Sequence, residues 1–219
     1  MRLCMPILLL ASFVAADAWS GEPAGPTPLR HLSVDELHTI LPSETKLMVR
    51  SGAIEQLLVE LDGEPPDWPS IYGHGHHDSG HDDRLFALNR ERDAKRAGRP
   101  ALSERVAFIW TGSLSRYDRE LGGFPVALGP NFIKTTWGMV RFKPEEAPGN
   151  LVVGTDPSRQ MEFERLLMQG QSVEIEVVLT GRLIPEESIV YDFSHDEEGL
   201  GLIMPFVRVE QVDFVMPRQ

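Results

Sequence analysis

Cysteine is almost missing from this chain. Cys4 is the single one in 219 residues, and it stands ahead of the first apolar run, whereas a lipid-attachment cysteine would follow such a run. A disulfide scaffold and a thiolate metal centre are both excluded for any mature form that lacks the first residues. Stability must come from an ordinary core, and an apolar share of 42% supports one. The sequence also lacks an N-x-S/T glycosylation acceptor, the nucleophile elbow G-x-S-x-G, the phosphate loop G-x-x-x-x-G-K-[ST] and the zinc helix H-E-x-x-H. Positive charge is scarce too, with 21 Lys and Arg against 33 Asp and Glu and a formal charge of −12. Nonspecific nucleic-acid binding depends on phosphate attraction, so nucleic acid is not an expected partner.

What is present begins with an export signal. Arg2 precedes the apolar run Met5 to Ala11, which continues through Phe13 and Val14 to the small residues Ala15, Ala16 and Ala18. That order of charge, apolar core and small side chains predicts a signal peptide over residues 1–18, cut after Ala18 or, second, after Ala16. The run falls short of the roughly 20 residues that cross a bilayer, so a retained transmembrane anchor is not expected. A periplasmic or secreted location follows as the expectation.

The remaining chain reads as an N-terminal helical region over 19–100 and a β-rich domain over 101–219. Gly21 to Pro28 suits a spacer, with order beginning near His31. Ser33 and Glu36 form a capping-box pattern for a short helix that Pro42 stops. Ala53 to Leu61 carries Ile54, Leu57, Leu58 and Leu61 at helical spacing. Residues 72–83 read as a polar loop. Arg84 to Gly98 reads as a helix whose end charges suit its dipole and whose second half is solvated.

From Arg105 the texture turns to short β-branched and aromatic runs: Val106 to Leu114, Phe124 to Leu128 and Trp137 to Phe142. Asp156 and Pro157 open a helix that closes at Gly170. Val173 to Leu183 alternates as a half-buried strand, as does Ile189 to Phe193. In the last run, Leu202 to Val215, the apolar phase changes between Val209 and Val212, which predicts a bulge near Gln211. The resulting order βββαβββ predicts an α+β fold with a C-terminal barrel or sandwich. A helix after the third strand is the order of the oligonucleotide- and oligosaccharide-binding (OB) barrel with one strand added, a resemblance of order alone.

Two constellations could carry chemistry. Four of the seven histidines fall between His74 and His81. His74, His76, His77 and His81 with Asp78 offer nitrogen and oxygen ligands suited to zinc, copper or nickel, although a solvated linker has the same composition. Trp110, Tyr117, Phe124 and Trp137 could line a ligand groove, since aromatic faces stack on sugars and bases; the alternative is that they are core. The basic run Arg84 to Arg99 is interrupted by Glu91 and Asp93 and reads as a solvated helix face. These features predict an exported binding or accessory module for a protein or small-molecule ligand. The alternatives are a metal-dependent periplasmic hydrolase and a structural protein of the cell envelope.

Overall fold

The computed structural model describes residues 25–73, 78–185, 188–194 and 200–217. It is a mixed α+β fold built on an 11-stranded sheet. The strands are β1 (Thr27–His31), β2 (Lys46–Leu47), β3 (Arg105–Leu114), β4 (Phe124–Gly129), β5 (Ile133–Thr135), β6 (Gly138–Val140), β7 (Lys143–Pro144), β8 (Val152–Gly154), β9 (Glu174–Leu183), β10 (Ile189–Phe193) and β11 (Gly201–Met216). The helices are α1 (Ser51–Asp62), α2 (Trp68–Tyr72), α3 (His81–Arg96) and α4 (Pro157–Met168), with 3-10 turns at Val34–Thr39 and Pro100–Ser103.

The pairings of six strands return on themselves. β1 bonds to β8 on one side and to β11 on the other, and the path continues β8-β4-β3-β9-β11. β1 lies in the segment expected to be spacer. Its Leu29 packs against the core while its neighbours alternate outward, but five residues that follow Pro26 and include Pro28 are too short a pattern to read as a strand. β1 fills the gap between two strands that run parallel to it, leaving neither edge open. The third strand also differs from expectation. Trp137 to Phe142 is not one strand: β5 and β6 form a hairpin that leads into β7, and β8 takes the third place in the ring. The expected bulge is present, as the register of β9 with β11 shifts between Val209 and Gln211.

Alternation on the long strands sorts their side chains. Val106, Phe108, Trp110 and Leu114 of β3 and Ile175, Val177, Leu179 and Leu183 of β9 enter one large buried cluster. Ala107 and Val178 point the other way, into a smaller cluster with Leu37 and Val215 under the first 3-10 turn. That turn carries the expected capping box of Ser33 and Glu36. α4 forms as its sequence dictates: the Asp156 carboxylate accepts from the backbone N–H of Ser158 and Arg159 at 3.0 and 3.1 Å. Its Phe163 is buried edge-on to Phe124.

The helices of the N-terminal half share the large cluster with the strands. Ile54, Leu57, Leu58 and Leu61 of α1 and Trp68 and Ile71 of α2 belong to it. α2 had no expectation attached, because Pro65 and Pro66 read only as a stop, yet the Asp67 carboxylate caps it at Ser70. Trp68 donates its indole N–H to the Trp137 carbonyl at 2.6 Å. Its ring lies so close to Gly201 that a Cβ there would stand 2.0 Å from it. Glycine is what lets the chain pass beneath the indole.

The solvated face expected for the second half of α3 is instead a clamp. Arg92 and Arg96 are 5% and 1% exposed. Arg92 donates to the carbonyls of Asp62 and Glu64 at 3.0 and 2.7 Å, and Arg99 to that of Glu60 at 3.0 Å. The Glu60 and Asp62 carbonyls are left over at the C-terminal end of α1, whose last turn carries no cation of its own, and Glu64 lies just beyond it. Arg96 lies 3.5 Å from the buried Asp62 carboxylate, and Tyr191 of β10 donates its hydroxyl to the same carboxylate. Burial raises the Asp62 pKa above its ordinary value, opposed by the Arg96 charge. Burial raises the Tyr191 pKa still further, helped by the Asp62 charge, so the hydroxyl stays a donor. Asn89 completes the joint. Its amide donates to the Tyr191 carbonyl and accepts from the Tyr191 N–H, at 2.9 and 2.8 Å, and so pairs with the edge of β10 as a strand would.

Removing one partner of such a group strands the other. Asp62→Ala is expected to lower the unfolding free energy by about 3 kcal/mol in urea titrations, because Arg96 stays buried with only the exposed Asp93 carboxylate as its counter-charge. Tyr191→Phe is expected to cost about 1–2 kcal/mol. Losses under about 0.5 kcal/mol for both, the ordinary range of a surface change, would contradict the clamp.

Candidate functional site

His74, His76 and His77 lie outside the described residues. The two described members of the tract are held by their neighbours. The Asp78 carboxylate accepts from Arg84 at 2.8 Å and from the Gly80 N–H at 2.9 Å, and Arg84 is itself anchored to the Ile71 carbonyl. His81 sits at the start of α3 with Nδ1 2.5 Å from the Asp78 carbonyl and Nε2 3.1 Å from Asp82, its ring edge-on to Phe193. Among the described residues no group of three or more His, Cys, Asp or Glu is placed to hold a metal ion.

The four aromatics proposed to line a groove are spread through the interior. Trp110, Phe124 and Trp137 are buried members of the large cluster, and Tyr117 is half-buried, edge-on to Phe124 with 5.2 Å between ring centroids. Trp110 and Phe124 occupy inward positions of β3 and β4, so strand alternation sends them to the core. The Trp110 indole donates to the Phe142 carbonyl at 3.1 Å.

A different group of residues stands at the margin of this aromatic core. Arg141 follows β6 and its guanidinium carbon lies 5.9 Å from the Trp110 ring and 5.7 Å from the Phe132 ring. Lys143, two residues on in β7, holds its ammonium 4.6 Å from the Phe206 ring. Residues two apart in an extended run share a side and stand about 7 Å apart. The run is fixed by β11: the Arg141 N–H donates to Ile203 at 3.0 Å and the Glu145 N–H to Val207 at 2.8 Å. Glu145 is taken by Arg208 through two bonds of 2.7 and 3.1 Å. Among the described residues neither Arg141 nor Lys143 has an acidic partner, and the buried Arg141 Nε has no hydrogen bond at all. Phe132 is 42% exposed, so an aromatic ring beside Arg141 is open in part to solvent.

Cations held by rings and not by carboxylates contrast with the charges around the two shallow depressions elsewhere on the surface. In the depression of about 350 Å³ beside Ser103, Lys46 pairs with Glu60 and Glu104, and Arg105 and Arg182 both pair with Glu210. In the other, of about 270 Å³, Arg50 pairs with Asp35 at 3.0 Å. In both, every Lys and Arg of the lining has an acidic partner.

The sequence does carry a signal for Phe132, Arg141 and Lys143. From Leu121 to Pro144 no Asp or Glu occurs, although the chain has 33 of them, and Lys134, Arg141 and Lys143 fall in that stretch among Phe132, Trp137 and Phe142. The densest basic run lies elsewhere, at Arg84 to Arg99, where acids are interleaved and every cation but Arg90, which stands over the Phe86 ring, is held by a carboxylate or a backbone carbonyl. No family model, curated protein or solved structure matches the chain.

Arg141 lies over the ring of Trp110, which is 6% exposed. Arg141→Ala is therefore expected to open that indole to solvent and raise the acrylamide quenching of tryptophan fluorescence, while Lys143→Ala leaves it at the wild-type level. Equal quenching in all three proteins would contradict the stacked geometry.

Proposed function

We propose that this protein is an exported binding or accessory module, in which a barrel of the OB type presents Phe132, Arg141 and Lys143 to a ligand. The ring of pairings supports the barrel. Setting β1 aside, its order is β3-β4-β8-β11-β9, that is, first, second, third, fifth and fourth along the chain, with α4 between the third and fourth. An OB barrel is a five-stranded Greek key, and in this reading β1 is the added strand, lying parallel between the third and fifth. The export half of the reading rests on Arg2, the apolar run to Val14 and the small residues that end at Ala18. Among the described residues no helix is long and apolar enough to cross a membrane.

The observation that carries the binding half is Arg141. A guanidinium held between two rings gains about 0.5–1 kcal/mol from each ring at a partly exposed site, and this fixes its position without cancelling its charge. An anion arriving there meets a cation already oriented, so little side-chain entropy is lost on contact. The net charge of −12 makes such a point selective: polyanions are repelled by the molecule as a whole, and an anion binds only where its local contacts outweigh that field.

N-terminal sequencing of the protein recovered from a bacterial host tests the export half. The expected result is a chain that starts at Trp19 or Asp17 and is found in the exported fraction. A chain that keeps Met1 or Arg2 and stays in the cytosol would contradict it.

A further inference from the structure

We infer that Phe132, Arg141 and Lys143 form a binding site for an acidic glycan, a chain of sugar rings that carry carboxylates. The inference rests on the binding reading above and names its ligand. Phe132 supplies a partly exposed ring on which the C–H face of a sugar stacks. Arg141 is held against that same ring, and Lys143 stands one strand repeat further on. A stacked sugar therefore places its own carboxylate at Arg141, and the next sugar brings a second carboxylate toward Lys143. Arg141 suits the first place because its planar fork accepts a carboxylate through two parallel bonds.

Two other anionic partners fit less well. Single-stranded nucleic acid binds along a series of stacking rings with many cations tracking its backbone. Here Trp110 is buried, the Phe206 ring is occupied by Lys143, and Arg208 is committed to Glu145, so a second platform and a longer cationic track are both missing from this site. An acidic peptide added as a strand would need free backbone donors and acceptors beside the cations. The Arg141 and Glu145 N–H groups are already spent on β11. A glycan needs neither a free strand edge nor a row of rings.

Calorimetric titration of the purified protein with tetragalacturonate at low salt tests the inference. Saturable binding is expected, and it should vanish as salt approaches about 1 M, where the screening length shrinks to about 3 Å. Phe132→Ala and Lys143→Gln are each expected to weaken binding by about fivefold or more, whereas Lys95→Gln on α3, whose partner is Glu91, leaves it unchanged. Phe132→Leu keeps the apolar bulk and removes the ring, so it separates lost stacking from lost folding; it too should weaken binding. No binding by the wild type would overturn the inference. So would equal binding of an uncharged glucan, unchanged affinity in both site variants, or tighter binding of an oligothymidylate through the same residues. Failure here with a processed, exported chain removes the glycan and leaves the export reading standing. An unprocessed cytosolic chain that still binds tetragalacturonate does the reverse.

Discussion

Asp62 and Arg96, a carboxylate and a guanidinium sealed together at 0% and 1% side-chain exposure, sit where three elements meet. Asp62 ends α1, Arg96 ends α3, and the Tyr191 hydroxyl joins them from β10. Their contact is long, and Asp62 Oδ1 and Arg96 Nη1 lack hydrogen bonds, so the pair is not a strong net source of stability. Its effect lies in the alternatives it forbids. Neither charge can be exposed or left alone without parting α1 from α3, and Arg92 and Arg99 hold the same joint through the leftover carbonyls of α1. The helical half is therefore fixed to the strand half by polar groups at its centre and by Ile54, Leu57 and Trp68 around them.

That joint also shapes the surface where the proposed ligand binds. α1 and α2 close one end of the core, Trp68 bonds to the Trp137 carbonyl, and the hairpin of β5 and β6 is thereby set against the helices. The segment from Arg141 to Glu145 leaves this hairpin and runs along β11, which aims Arg141 at Trp110 and Phe132. In this acidic molecule many cations pair with carboxylates, and Arg84, Arg92 and Arg96 of α3 are used in holding the fold, while Arg90 stands over the Phe86 ring. The segment from Leu121 to Pro144 contains no acid, and its Arg141 and Lys143 stand against aromatic rings.

Elements whose own residues dictate them could be read from the sequence. Asp156 and Pro157 start α4, Ser33 and Glu36 cap the first turn, and the change of apolar phase around Gln211 marks a real shift in register. Other elements depend on their neighbours. Three residues of β8 and five of β1 hold too little periodicity to read, and they become strands because the ring would otherwise have open edges. α3 shows the same limit from the other side: alternating charge looks alike on a solvated helix and on one whose arginines reach into a core. The aromatic positions were legible as apolar and read as core or groove, the choice between the two depending on which strand face meets the helices. Of the histidine tract, Asp78 and His81 have their polar atoms held by local neighbours.

The central claim is that the buried joint makes the helices and the strand ring unfold together. Native-state hydrogen exchange measures this directly, residue by residue. The account predicts that amides in the middle of α1, such as Leu57 and Leu58, exchange with the same free energy of opening as those of Val177 and Leu179 in β9. Exchange through α1 at several kcal/mol less than β9, about the range that separates local from global opening, would contradict it.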